Sequence, residues 1–397
     1  MRMPLMLLLF AAMPMAWATP SIRRLDGTRI AITEADAFAR QTLRAARVTG
    51  AQIVVIERGR LVWSSAWGLR RRDPELPMTT ETTTWAASIT KSVFATYVMQ
   101  LVERGEFHLD VPVAKQLPRP LNEYEPYKEV AVDLIRDPRW AKVTPRMLLQ
   151  HSAGLLNFPF IEPDRKMHLH FEPGSQFKYS GAGINLLQFV IEQQKGKPLH
   201  ELMQEGLFTP LGMTRTGLIY RKEFEANVAD RYAADEKFIA QTKRFPARGA
   251  GSMTTSAEDL AKFACALFAG KILNPKTMKE MLRPTLPIRT LHQFPLGPDE
   301  AEGAESRAVG LAYGAGWGLL TKTKYGPAFF KEGHGDGAQN FMICFERRQT
   351  CMIVLTNSDN GELAFRPLFE KILGNTVTPW EWEGYTPAFI EAARKSQ

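Results

Sequence analysis

An α/β fold of the α+β type is predicted for this chain. It comprises an antiparallel sheet flanked by helices and built from N- and C-terminal segments, with a mostly helical subdomain inserted between them. Three observations point there. Strand-like runs cluster at the two ends of the sequence, between residues 52 and 67 and again after residue 312. The stretch between them, roughly 92–250, carries helical periodicity and N-cap signals instead. Successive strand runs are joined by short turns, which suit antiparallel neighbours. If the terminal strands share one sheet, the helical middle is an insertion.

Thr33-x-x-Asp36 has the form of a capping box, and Ala35, Phe38, Ala39, Leu43 and Ala46 then fall on one helical face. Gly50 stops that helix. Gln52–Glu57 and Leu61–Trp67 are strand-like and joined by Arg58-Gly59, a hairpin signal. A polar stretch, Asp73–Thr84, leads to a helical pattern over Ile89–Glu103 that ends at Gly105. Residues 116–142 are irregular; their Tyr124, Tyr127 and Trp140 either wall a cleft or pack on the domain. Thr144-Pro145 pairs an N-cap with a first-position Pro and opens a short helix over Arg146–His151. A further helix is expected over Gly183–Gln194. Another starts at Thr255-Ser256, with Leu260, Phe263, Ala264 and Leu267 on one face. Residues 284–310 lack periodicity and read as a long surface loop. Strands follow at Tyr313–Leu320, Phe329–Lys331, Phe341–Phe345 and Thr350–Thr356, and a helix near Leu363–Leu373 closes the fold.

The 397 residues are 45% hydrophobic and 23% charged, ordinary globular composition with ample length for a large core. Residues 1–18 read as a signal peptide: Arg2, an apolar run over 4–15, then the small-x-small pattern Ala16-Trp17-Ala18. That run is too short for a comfortable bilayer span, so no stable membrane anchor is expected. The mature domain, 19–397, is expected to be periplasmic or secreted. The net charge of +8 is modest, and no aromatic-interleaved basic stripe suggests nucleic acid. Cys265 falls in an apolar helical pattern. A two-residue loop through Arg347-Arg348 would put Cys344 opposite Cys351, as a cross-strand disulfide or as two core thiols. No Cys/His spacing fits a zinc site. His168-x-His170 offers two ligands without an evident third, so neither metal nor cofactor is expected.

The chemistry concentrates at Trp85-Ala-Ala-Ser88-Ile-Thr-Lys91-Ser92. Positions three apart share a helix face, so Lys91 can sit beside the Ser88 hydroxyl and act on its proton. Burial or a neighbouring positive charge would make that lysine a usable base. The helix start would leave the Ser88 N–H free to face a developing oxyanion. Ser-x-x-Lys is weak by itself, and a second copy occurs at Ser175-Gln-Phe-Lys178.

Context separates the two copies. After Ser88 come Leu148-Leu-Gln-His151-Ser-Ala-Gly-Leu155, Gly174-Ser-Gln-Phe-Lys-Tyr179-Ser-Gly181 and Gly249-Ala-Gly251-Ser-Met-Thr-Thr-Ser256. Tyr313-Gly-Ala-Gly-Trp-Gly318 and Gly333-His334-Gly-Asp-Gly-Ala-Gln-Asn-Phe341 follow. In this order the set resembles the serine β-lactamase and penicillin-binding-protein superfamily, in its class C-like branch, from about Gly50 to Thr356. The resemblance implies a serine hydrolase acting on a small-molecule or peptide-like substrate. Ser88 matches the acylated nucleophile, Lys91 its base partner, and Tyr179 the proton-relaying Tyr of the second motif. A Tyr near two positive groups can ionise below its ordinary range. His334 matches the His heading the third motif in this branch, and the N–H groups of Ser88 and Gly337 match the oxyanion hole. His151 reads as a supporting residue.

Two departures bear on substrate binding. Gly181 stands where the second motif usually has the Asn that binds an acyl amide. Asp336 stands where the third motif usually has Gly, and would put negative charge beside the oxyanion hole or the carboxylate-binding edge. Lys331-Glu332-Gly333 offers a rival third-motif register headed by Lys331. Ester or amide substrates are therefore expected in preference to β-lactams. The alternatives are a penicillin-binding or sensor protein that acylates without efficient turnover, and a DD-peptidase. An α/β-hydrolase is disfavoured, since no Gly-x-Ser-x-Gly occurs.

Overall fold

The computed structural model describes residues 20–294 and 303–395; the expected signal peptide lies outside them. A nine-stranded antiparallel sheet organises the described residues. Its strands are β1 (Gly50–Glu57), β2 (Arg60–Arg71), β3 (Leu76–Pro77), β4 (Leu286–Pro287), β5 (Leu311–Tyr313), β6 (Gly318–Leu320), β7 (Ala328–Gly335), β8 (Ala338–Phe345) and β9 (Thr350–Thr356). Their order is β4-β5-β6-β7-β8-β9-β1-β2-β3. The last strand of the sequence thus pairs with the first of the sheet, Ile353 facing Val54. Everything between β3 and β4 leaves the sheet and returns to it. That excursion is mainly helical, with two short ribbons, Thr84–Trp85 on Thr254–Thr255 and Asp230–Tyr232 on Phe238–Gln241.

The strand β1 shows why the sheet is central. Its run Ile53-Val-Val-Ile56 is fully buried on both faces, with Ile53 and Val55 in one core cluster and Val54 and Ile56 in the other. Strand side chains alternate, so a continuous apolar run needs cover on both sides. One face is covered by α1 (Ile32–Ala45) and, with Phe365 and Phe369, by the last long helix, Gly361–Ile372. The other is covered by α2 (Ile89–Glu103), α3 (Gly181–Lys195) and α4 (Ala257–Phe268), whose Phe94, Ile184 and Phe263 share one cluster. Helix α2 is buried almost all round, as expected of a helix apolar on every side.

Several boundaries follow local signals. Arg58 and Gly59 both adopt positive φ (51° and 72°), the turn that the twist of a tight hairpin favours. Thr144 accepts from the Met147 N–H, and Ser256 from the Asp259 N–H, each as an N-cap. Others differ from expectation. The Thr33–Asp36 capping box does not form: α1 starts at Ile32, and the Asp36 carboxylate accepts from Ser65 and Arg40 instead. Tyr313–Leu320 is two strands rather than one, broken at Gly314–Trp317. Gly316 has φ 79° and packs so closely on α2 that a Cβ would lie 2.2 Å from that of Ala95. The segment 284–310 holds β4 and a short helix, Ala304–Val309. Tyr124 and Trp140 are buried in the helical core, so of the two roles weighed for the 116–142 aromatics it is packing that the structure gives.

The β8–β9 connection is the four residues 346–349 rather than two, with Gln349 in the left-handed region. Cys344 still faces Cys351 across the pair, and the two form a disulfide. Cys265 is free. Among the described residues no helix is long and apolar enough to cross a membrane.

Candidate active site

Ser88 is the N-cap of α2, and the residue before it, Ala87, sits at φ 45°. A non-glycine residue there is strained and held by its surroundings. The holding contacts are visible. Trp85 pairs with Thr254 and donates its indole N–H to the Gly251 carbonyl. The Thr90 hydroxyl donates to the Ala87 carbonyl and accepts from the Met253 N–H. The Ser88 hydroxyl does not cap its helix, as an N-cap serine ordinarily would. It is engaged by Lys91, whose Nζ lies 2.9 Å from Oγ and 2.5 Å from the Ala250 carbonyl. The segment Gly249–Ser256 therefore pins the nucleophile's turn and supplies an acceptor to the lysine.

Lys91 is 2% exposed. Burial, and next the charge of Lys331, push its pKa well below the ordinary lysine range, with Glu332 opposing. Tyr179 lies in the loop before α3, and Ser88 is a hydrogen-bonding neighbour of its hydroxyl. His151, at φ 56°, accepts the Ser180 N–H at Nδ1 (3.2 Å) and stacks on the Tyr179 ring at 4.5 Å. Burial and the two lysines depress the His151 pKa well below its ordinary range. It is thus a neutral support for the tyrosine. Tyr179 itself departs from the expected easy ionisation. Burial, and then Glu332, raise its pKa well above that of a free phenol, so it rests as the neutral hydroxyl.

The third-motif region places both candidate head residues, Lys331 and His334, on β7. Lys331 Nζ lies 3.2 Å from the Tyr179 hydroxyl and contacts the Glu332 carboxylate. The His334 side chain is 61% exposed and binds Glu362 at 2.6 Å. His334 lines the same cleft, yet its ring is committed to Glu362, while the Lys331 ammonium reaches the tyrosine. Gly337 lies in the β7–β8 turn, and its N–H donates to the Asp359 carboxylate. In this geometry that N–H is not free for an oxyanion. Asp336 is exposed on the cleft rim, its carbonyl accepting from Arg231 at 2.6 Å.

Gly181 does not reach the cleft. Its N–H donates to Asn157 Oδ1 at 2.8 Å, and a Cβ there would lie 2.8–2.9 Å from Phe158 and Asn157. Asn157 and Phe158 stand in front of it and line the cleft, whose volume is about 1570 Å³. Other lining residues carry weak sequence signals. Asn185, one helical turn beyond Gly181, accepts from the Ala250 N–H. Arg244 stacks on Trp85 at 3.8 Å. Glu383 comes from a C-terminal turn, Trp380–Glu383, that sequence periodicity does not mark. Phe294, in the segment expected to be a loop, packs edge-on to Tyr179 at 5.1 Å. His168 and His170 do not converge: each binds its own carboxylate, Asp164 and Glu162.

The chain matches the model of the Beta-lactamase family over residues 35–373. Esterase EstB of Burkholderia gladioli is 28% identical over 346 residues, covering 74% of this chain and 81% of the esterase. The octameric penicillin-binding protein homologue from Pyrococcus abyssi superposes with a TM-score of 0.69 at 22% identity, covering 92% of this chain and 81% of its own. The D-amino acid amidase from Ochrobactrum anthropi SV3 gives a TM-score of 0.65 at 23% identity, covering 91% of this chain and 99% of the amidase.

Proposed function

Because the chain belongs to the Beta-lactamase family, we propose that it is a serine hydrolase working through a Ser88 acyl-enzyme on ester or amide substrates other than β-lactams. The observation that carries this is the 2.9 Å contact between Ser88 Oγ and the desolvated amine of Lys91. With its pKa pushed well below the ordinary lysine range, Lys91 gives up its proton more readily than a free lysine. It takes the Ser88 proton as Oγ attacks the substrate carbonyl. The carbonyl oxygen gains negative charge, and the Ser88 N–H at the start of α2 stabilises it. Tyr179, resting as a neutral phenol, gives its proton to the leaving alkoxide or amine. The proton held by Lys91 then returns to the phenolate. Water adds to the acyl-enzyme by the same route in reverse, releasing the acid and restoring the Ser88 hydroxyl. Lys331 supplies the fixed cation beside Tyr179.

One feature supports slow penicillin turnover: the position of the usual amide-binding Asn is a glycine hidden behind Asn157 and Phe158. A relative named as an esterase, and a fold neighbour named as a D-amino acid amidase, support the ester and amide classes. The test is a turnover panel of p-nitrophenyl esters, D-amino acid amides and a penicillin. Turnover of esters or amides with slow penicillin release supports the reading; efficient penicillin hydrolysis overturns it.

Export is part of the same proposal. The Cys344–Cys351 disulfide suits an oxidising compartment. N-terminal sequencing of the protein recovered from its native host should begin at Thr19.

A further inference from the structure

The edge of β7 beside the site carries a buried charge pair whose carboxylate the reaction above does not use. β6 pairs with β7 only as far as Phe330, so from Lys331 onward that edge has no partner strand among the described residues. Neighbouring residues of a strand ordinarily point to opposite faces. Here the free edge lets the Lys331 ammonium and the Glu332 carboxylate meet. Both side chains are buried, at 0% and 5% exposure. The other ionisable groups around Lys331 come from four separate segments: Lys91 on α2, His151 after the 145–149 helix, Tyr179 before α3, and Glu383 in the 380–383 turn. Glu383 keeps both carboxylate oxygens buried without a hydrogen-bond partner, so the carboxylate in contact with Lys331 is Glu332.

We propose that Glu332 is a positioning residue: acting through Lys331, it holds a permanent ammonium against the Tyr179 hydroxyl and so fixes which of the two lysines is the site's cation, leaving Lys91 to take the Ser88 proton. This rests on the acyl-enzyme reading above. An ammonium sealed from water without a carboxylate sheds its proton. Burial already lowers the Lys331 pKa, and Glu332 is the main group opposing that fall. Without Glu332, Lys331 becomes neutral at lower pH and its support of Tyr179 goes with it.

The pH dependence of kcat/KM for p-nitrophenyl acetate tests this, with thermal unfolding recorded for every variant. In the wild type the rate rises as Lys91 loses its proton and falls as Lys331 loses its own. In Glu332→Gln the alkaline limb should move to lower pH by about one unit or more. KM should stay within about threefold, because the lost interaction serves the reaction and not substrate binding. Glu332→Asp should restore part of the shift. A uniform loss of rate with the limb unmoved overturns the proposal. Should Glu332→Gln fail to fold, Lys331→Met serves: its profile should lack the alkaline limb, and a limb that persists overturns the proposal equally. Ser88→Ala runs beside them. Wild-type turnover by that variant defeats the acyl-enzyme reading itself, whatever the limbs do.

Discussion

Lys91 and Lys331 both place their side-chain nitrogens 4.9 Å from the centre of the Tyr179 ring, yet only Lys331 touches a carboxylate. Burial lowers the pKa of both amines, but that of Lys91 falls well below the ordinary lysine range, whereas at Lys331 the touching Glu332 carboxylate opposes the fall. Groups whose surroundings push them apart in this way mark the division between base and cation in a site.

The first consequence concerns Lys91. Its folded-state pKa lies below that of the unfolded chain, because burial and Lys331 disfavour the charged form. Activity should therefore rise with pH through an acid limb set well below the ordinary lysine range, and be fully developed before that range is reached. Lys91→Ala should lower kcat/KM by about 10²–10⁴, the usual contribution of a positioned base. Steady-state rates across pH check both. A wild-type acid limb at the pKa of a free lysine would be incompatible with a desolvated base.

Linkage gives a matching statement about stability. Between the folded and unfolded pKa values of Lys91 the unfolded chain binds more protons, so this residue's contribution to stability rises with pH there. Below that window it is a standing cost of burying an ammonium. Lys91→Met should flatten that rise in denaturant midpoints measured across the window, relative to wild type.

Gly181 offers a packing test. Restoring the family's usual Asn places a Cβ within 2.9 Å of Asn157 and Phe158. Overpacking of this kind costs about 1–3 kcal/mol. Gly181→Asn should unfold at lower temperature than wild type and gain no penicillin turnover. Unchanged stability with acquired turnover would show that the glycine does face substrate.

The third motif is separable by mutation. His334 is bound to Glu362 and largely exposed, whereas Lys331 reaches Tyr179. His334→Ala should cost less than about tenfold in kcat/KM, and Lys331→Met about a hundredfold or more, on the scale of groups acting at the reacting centre. The reverse ranking would return the role to His334.

The disulfide is checked by counting thiols. Unfolded without reductant, the chain should show a single titratable thiol, Cys265. Closing a loop of sequence separation 7 should stabilise the fold by about 2 kcal/mol on the chain-entropy account. Reduction should lower the unfolding temperature accordingly.

What could be read from the sequence was what local chemistry dictates. Helix α2 has its predicted limits, Ile89–Glu103, because its ends are marked by Ser88 and by Gly105 at φ 70°. The strand β9 is likewise bounded as expected, over Thr350–Thr356. What could not be read depends on distant partners. Asp36 leaves its capping box and accepts instead from Ser65, 29 residues away on β2. The strand expected over Tyr313–Leu320 splits because Gly316 must approach Ala95 of α2. At the site, Ser88 and Lys91 are neighbours by helical spacing alone, and so were legible. Glu332 entered only as the middle of an alternative register, since strand alternation argues against its meeting Lys331. Glu383 arrives from beyond the last predicted helix, where no period or motif announces it. Gly181 occupies the motif position of a substrate-binding Asn, and its burial behind Asn157 shows only in three dimensions.

An acyl-enzyme on Ser88 is what the site's geometry predicts above all. Its most direct test is intact-mass analysis, with peptide mapping, of protein quenched during turnover of p-nitrophenyl acetate and after exposure to a penicillin. The expected result is a mass increase of one acyl group located on the peptide containing Ser88, fleeting with the ester, persistent with the penicillin, and absent in Ser88→Ala. Turnover that survives in Ser88→Ala, or an acyl group on any other residue, would contradict it.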